Sequence, residues 1–128
     1  MIIFVDVETT LAIHQENIEL YGGSFGLRDR GLLESALDMP KASFGGQFLH
    51  ESIFDMAAAY LFHICKNHPF VDGNKRTSLA VAMTFLYANG YRINAEFKDL
   101  EQLAVDTATG KKNKKQIAEF LENHSQKE

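Results

Sequence analysis

Apolar residues recur at three- and four-residue steps along most of the chain, the spacing of helices that bury one face. Leu11, His14, Ile18 and Tyr21 share such a face, and the pattern predicts a first helix from an Asp6 cap to about Tyr21, broken by Gly22-Gly23. A shorter helix is expected after Asp29, with Leu32, Leu33, Ala36 and Leu37 turned inward. The clearest repeat is Ile53, Met56, Ala57, Tyr60, Leu61 and Ile64, and Ala57 to Ala59 leave room for a second helix to approach. That helix is expected to stop at Asn67, because Pro69 disfavours helical geometry in the residue before it. Another begins near Asn74 and carries Leu79, Met83 and Leu86 as far as Gly90. Asp99 with Gln102 reads as a capping pair for a helix ending at Gly110, and Asn113 as the cap of a last one bearing Ile117, Phe120 and Leu121. Pro40 to Gln47 is small or polar, a loop or short hairpin turning at Gly45-Gly46. The expected fold is all-α, one domain over residues 1–128, with a possible small hairpin near 41–48.

Composition narrows the picture. A chain of 128 residues with 45% hydrophobic content suits a single core. Its 17 acids against 13 bases give a net charge of −4, so broad attraction to nucleic acid or an anionic membrane is not expected. The basic run Lys111-Lys112-Asn113-Lys114-Lys115 reads as the solvated start of the terminal helix. One cysteine, Cys65, allows no internal disulfide and suits a reducing cytosol; its apolar helical setting suggests buried filler, not a nucleophile. The N-terminus has no signal-peptide pattern, and no apolar run reaches the roughly 20 residues of a membrane span. A cytoplasmic protein is expected.

The chemistry is concentrated in residues 68–77, His68-Pro69-Phe70-Val71-Asp72-Gly73-Asn74-Lys75-Arg76-Thr77. A loop that runs into a helix start offers unpaired N–H groups and the positive end of a dipole, both attractive to phosphate. Gly73 permits close approach to an anion or a positive φ. Lys75 and Arg76 add charge where the dipole alone disfavours cations, although two isolated bases would more often simply face water. Asp72 is a candidate Mg²⁺ ligand or a helix cap, and Asn74 a phosphate contact or a clamp on the loop. His68, an imidazole at the end of the preceding helix, is the candidate general base. Phe70 is expected to plug into the core. His63, Cys65 and His68 match no zinc-ligand spacing. Neither common glycine-rich nucleotide motif is present.

This stretch resembles the central motif of the Fic/Doc superfamily, His-x-Phe-x-(Asp/Glu)-(Gly/Ala)-Asn-(Gly/Lys)-Arg, through His68, Phe70, Asp72, Gly73, Asn74, Lys75 and Arg76. The wider chain is similar to the death-on-curing (Doc) branch. Tyr21-Gly22-Gly23, Gly26-Leu27-Arg28-Asp29, Gly31 to Leu37, Phe44-Gly45-Gly46 and Phe85 to Tyr91 carry that likeness. The resemblance implies a mostly helical fold and ATP- and Mg²⁺-dependent phosphorylation of a protein Ser or Thr. His68 would be the base, Asp72 the metal ligand, and Gly73, Asn74, Lys75 and Arg76 the phosphate site. Lys41, Ala42, Ser43 and Phe44 would belong to a flap that aligns the target. It further implies a toxin restrained by a Phd-like antitoxin, with an elongation factor Tu-like target. Adenylylating relatives carry Gly-Asn-Gly-Arg-x-x-Arg; here Lys75 and Leu79 stand at the second glycine and second arginine, which points to the kinase branch. Adenylyl transfer and a catalytically idle binding module are the alternatives. His14 and Arg28 also recur in the Doc-like pattern, with no role assigned.

Overall fold

The computed structural model describes residues 1–128 as six helices and two small antiparallel hairpin-like sheets. The helices are α1 (Val7–Tyr21), α2 (Arg30–Asp38), α3 (Ile53–Asn67), α4 (Asn74–Ala88), α5 (Phe97–Ala108) and α6 (Lys114–Asn123). Strands β1 (Ser43–Phe44) and β2 (Gln47–Phe48) form one sheet, β3 (Tyr91–Ile93) and β4 (Ser125–Lys127) the other.

Local signals explain most boundaries. The Asp6 carboxylate accepts from Thr9 N–H at 2.8 Å, and Asp29 accepts from Leu32 N–H at 3.0 Å. Ser52 with Asp55 and Asn113 with Gln116 form reciprocal capping boxes at α3 and α6. Gly22, at φ 87°, closes α1 through a bond to the Ile18 carbonyl.

Helix α3 is the axis of the molecule, packed by α2, α4, α5 and α6. Its Ala57, Ala58 and Ala59 have no exposed surface, as their small side chains let neighbouring backbones close in. Tyr60 is fully buried, and its hydroxyl is satisfied by Val5, accepting from the N–H at 2.9 Å and donating to the carbonyl at 3.3 Å. That burial pushes the phenol up to about 12.

One expectation is corrected and one element was not foreseen. Helix α5 begins at Phe97 without a side-chain cap; the Glu96 carbonyl takes the N–H groups of Asp99 and Leu100. Asp99 sits in the first turn, where the dipole favours an acid, and Gln102 instead donates to Asp106 at 2.9 Å. The β3–β4 sheet was not expected, since three-residue strands carry too little periodicity to read. The small hairpin expected near 41–48 is present as β1 and β2, turning at Gly45-Gly46, with Lys41 in a 3₁₀ turn over Met39–Lys41 just before it. No helix is long and apolar enough to cross a membrane.

Candidate active site

The end of α3, the beginning of α4 and the intervening loop frame a cavity of about 320 Å³, and α5 forms the opposite wall. That volume lies in the range of small-ligand sites. His68, Asp72, Gly73, Asn74, Lys75 and Arg76 all line it, so the structure brings together the six central candidates. The flap residues Lys41, Ala42, Ser43 and Phe44 do not line it.

The loop is built on fixed backbone. His68 caps α3 with φ 50° and ψ 54°, and no other non-glycine residue has positive φ. This left-handed geometry costs an L-residue roughly 1–2 kcal/mol, so other contacts must hold it. Phe70 is fully buried and anchors the loop. Asn74 is also buried, and its amide closes a ring with Phe70: Oδ1 accepts from the N–H and Nδ2 donates to the carbonyl, both at 2.9 Å. Asn74 is therefore the clamp on the loop, and what it can offer an anion is its backbone N–H.

The helix start presents the free amides that an anion site needs. The first α4 amide taken by a backbone carbonyl is that of Thr77, which donates to Gly73 at 3.0 Å. The amides of Asn74, Lys75 and Arg76 precede it and carry the positive end of the dipole. Gly73, at φ 76°, sets the turn; an added Cβ would press within 3.1 Å of Ile18 Cδ1. Lys75 is exposed, while the Arg76 guanidinium lies 4.5 Å over the Tyr21 ring.

Asp72 is held from two sides. Its Oδ2 accepts from Ser24 N–H at 3.1 Å and its Oδ1 from Gly73 N–H at 2.9 Å. These two bonds, Ser24's first, hold the carboxyl below the usual aspartate range, so it is ionised across physiological pH. Each oxygen keeps a further lone-pair direction. No group of three His, Cys, Asp or Glu side chains is placed to cage a metal. A lone ionised carboxylate beside a helix start with free amides has the chemistry of a Mg²⁺ ligand, an ion that takes one or two carboxylates and completes its shell with phosphate oxygens and water.

Helix α1 and the segment after it contribute more than the sequence disclosed. His14 is buried and stacks on Phe70 with ring centroids 3.9 Å apart and 6° between planes. Its Nε2 lies 2.8 Å from the Asp72 carbonyl, which can only accept, so Nε2 carries the proton. Gly23 takes φ 114°, which favours glycine, and a Cβ there would stand 2.8 Å from Asp72 Oδ2 and push the carboxylate aside. Arg28 Nε donates to the His68 carbonyl at 2.8 Å, and Nη2 to that of Asn67 at 3.1 Å.

On the far wall, Phe97, Glu101 and Val105 recur at four-residue steps along α5 and complete the cavity. Nothing in the sequence marked them, because an exposed helical stripe has no signature until its neighbour is known. Cys65 lies under the cavity, its Sγ 3.1 Å from Ser78 Oγ, and burial pushes its thiol up, as befits filler. His63 points elsewhere, with Nε2 3.1 Å from the Lys114 ammonium. Lys114 is thus half-buried and engaged, unlike the solvated residue the basic run suggested.

Comparison with known proteins agrees with this geometry. The family model described as "Fic/DOC family" matches residues 4–86. A protein named "Protein kinase doc", from Escherichia phage P1, is 32% identical over 117 residues, covering 91% of each chain. A protein named "Toxin Doc", from Mycolicibacterium smegmatis, is 44% identical over 77 residues, 60% of this chain and 59% of that one. The chain thus spans well under two thirds of the mycobacterial relative and nearly all of the phage one. With the motif loop seated at the mouth of a cavity between two core helices, the chain belongs to the Fic/Doc family.

Proposed function

We propose that this protein is the toxin of a toxin–antitoxin pair, a cytoplasmic protein serine/threonine kinase that uses ATP and Mg²⁺. Its target in this reading is an elongation factor Tu-like translation factor, whose modification arrests growth. The observation that carries the reading is the meeting of His68, Asp72 and the open α4 start on one cavity. The printed names of the two relatives, a protein kinase and a toxin, support it.

In this reading the α4 amides, Lys75 and Arg76 hold the phosphates of ATP and stabilise charge in transfer. His68 takes the proton of the target hydroxyl as its oxygen bonds to the γ-phosphorus and ADP departs. Mg²⁺ held by Asp72 would offset phosphate charge. Lys75 and Leu79 both reach the cavity, and the crowding by one and the missing guanidinium at the other disfavour adenylyl transfer. The β1–β2 flap, with Phe44 82% exposed, suits pairing with an extended target chain. A Phd-like antitoxin is the partner that would restrain the enzyme.

The test is intact-mass spectrometry of purified elongation factor Tu after incubation with this protein, ATP and Mg²⁺. A gain of about 80 Da, one transferred phosphoryl group, is expected. A gain of about 329 Da would assign adenylyl transfer instead. No gain on this factor or in whole lysate would sink the enzymatic reading.

A further inference from the structure

We infer that Arg28 is a positioning residue for His68: its guanidinium locks the left-handed backbone that aims the imidazole into the cavity. The inference rests on the catalytic reading of His68 given above. The chain's hydrogen bonds to His68 all run to its backbone, while the ring itself is exposed at the cavity edge. The direction of its Cα–Cβ bond, from which the ring projects, is set by the peptide planes on either side of it.

Those planes are fixed by residues 26–29. Arg28 Nε and Nη2 hold the carbonyls of His68 and Asn67. The next carbonyl, that of Pro69, accepts from Arg28 N–H at 2.7 Å and Asp29 N–H at 3.0 Å. Beyond it Leu27 pairs with Phe70, and Val71 N–H donates to the Gly26 carbonyl at 3.0 Å. Three consecutive carbonyls, 67 to 69, thus end on residues 28–29. Two belong to the end of α3, where the dipole also favours a cation.

Only an arginine fits this task. Its planar fork presents Nε and Nη hydrogens side by side, matched to two adjacent carbonyls, whereas a lysine offers a single point charge. If the fork is lost, the main-chain bonds at Pro69 and Val71 remain but the Asn67 and His68 carbonyls lose their partner, and residue 68 relaxes from φ 50° towards the negative φ that L-residues prefer. The imidazole then swings away from the α4 start. Buried Phe70 and Asn74 would still hold the phosphate side of the loop.

Arg28→Lys and Arg28→Gln in the full chain test this. With elongation factor Tu as substrate, kcat should fall ~10–100-fold, the size of a misplaced reacting group. KM for ATP should stay within about twofold. In a His68→Ala background the same substitutions should cost nothing further. Retained kcat, or a loss that adds fully to that of His68→Ala, would overturn the assignment. Independently of any activity, the HN–Hα coupling and Cα shift of residue 68 report its φ by NMR. Wild type should show the left-handed value and both variants its loss; a residue 68 that keeps positive φ without Arg28 would overturn the inference even if no target were modified.

Discussion

Residues 67–73 and the flap at 42–49 are both short loops with glycines at positive φ, yet they are built on opposite principles. In the motif loop nearly every backbone polar group has a named partner: Arg28, Asp29, Gly26, Asn74 and His14 take Asn67 through Asp72 between them. The flap is exposed from Ser43 to Leu49 and is closed by its strand pair and one bond from Leu49 N–H to the Ala42 carbonyl at 2.9 Å. Glycine records the same difference. A Cβ at Gly23 would collide with Asp72, whereas at Gly45 and Gly46 it meets nothing within 4 Å. Long-range hydrogen bonds hold the motif loop, and the flap leaves its backbone free.

The comparison breaks most visibly at His68. His68→Ala should lower target phosphorylation by ~10²–10⁴-fold, the usual worth of a general base, with the thermal transition unchanged. Next comes the clamp. Asn74→Ala removes two hydrogen bonds from a buried amide and strands two Phe70 backbone groups, and should cost about 2–3 kcal/mol in urea unfolding. Gly23→Ala should weaken Mg²⁺-dependent nucleotide binding ~10–100-fold in titration calorimetry by displacing the Asp72 carboxylate, an effect of the size seen when ligand-orienting groups are lost.

A smaller effect should appear with acid. Burial first, then the Lys114 ammonium and His50, lower the His63 pKa to about 4. The unfolded chain binds that proton more readily, so stability should be full above about pH 6.5 and decline as pH falls towards 4. His63 is half-exposed, and solvent screening reduces the loss to about 1 kcal/mol. Chemical unfolding across that window should show it, less steeply in Lys114→Met. The smallest change in stability belongs to the flap. Phe44→Ser should alter folding by less than about 0.5 kcal/mol while reducing transfer to a protein target and sparing ATP affinity.

The same division decides what could be read from the sequence. The helices were legible because Asp6, Asp29 and Asn113 announce starts chemically and α3 repeats its apolar residues, although its Ser52 cap went unread. The motif was legible because its groups are contiguous. His14 and Arg28 were visible only as residues without a role, since their partners lie 58 and 40 positions away and a carbonyl acceptor leaves no trace in residue type. Asn74 could be read two ways, and burial of its amide against Phe70 selected one. Glu101 and the α5 wall were invisible for a different reason: a stripe of Phe97, Glu101 and Val105 becomes a surface of the site only once α5 packs across α4.

The two ends of the chain meet beyond the far end of α4. Ile3 and Asn89 exchange bonds at 2.8 Å, Glu128 N–H donates to the Gly90 carbonyl at 2.8 Å, and β4 lies along β3. The fold is thereby closed by two nested rings, one joining positions 86 apart and one, at the motif loop, joining positions 40 apart. By loop-closure entropy the outer ring costs only about 0.7 kcal/mol more than the inner. Yet the inner ring is satisfied without it, so assembly of the motif loop need not wait for the termini. Native-state hydrogen exchange should accordingly find the Tyr91–Ile93 amides opening before those of Arg28, Asp29 and Val71.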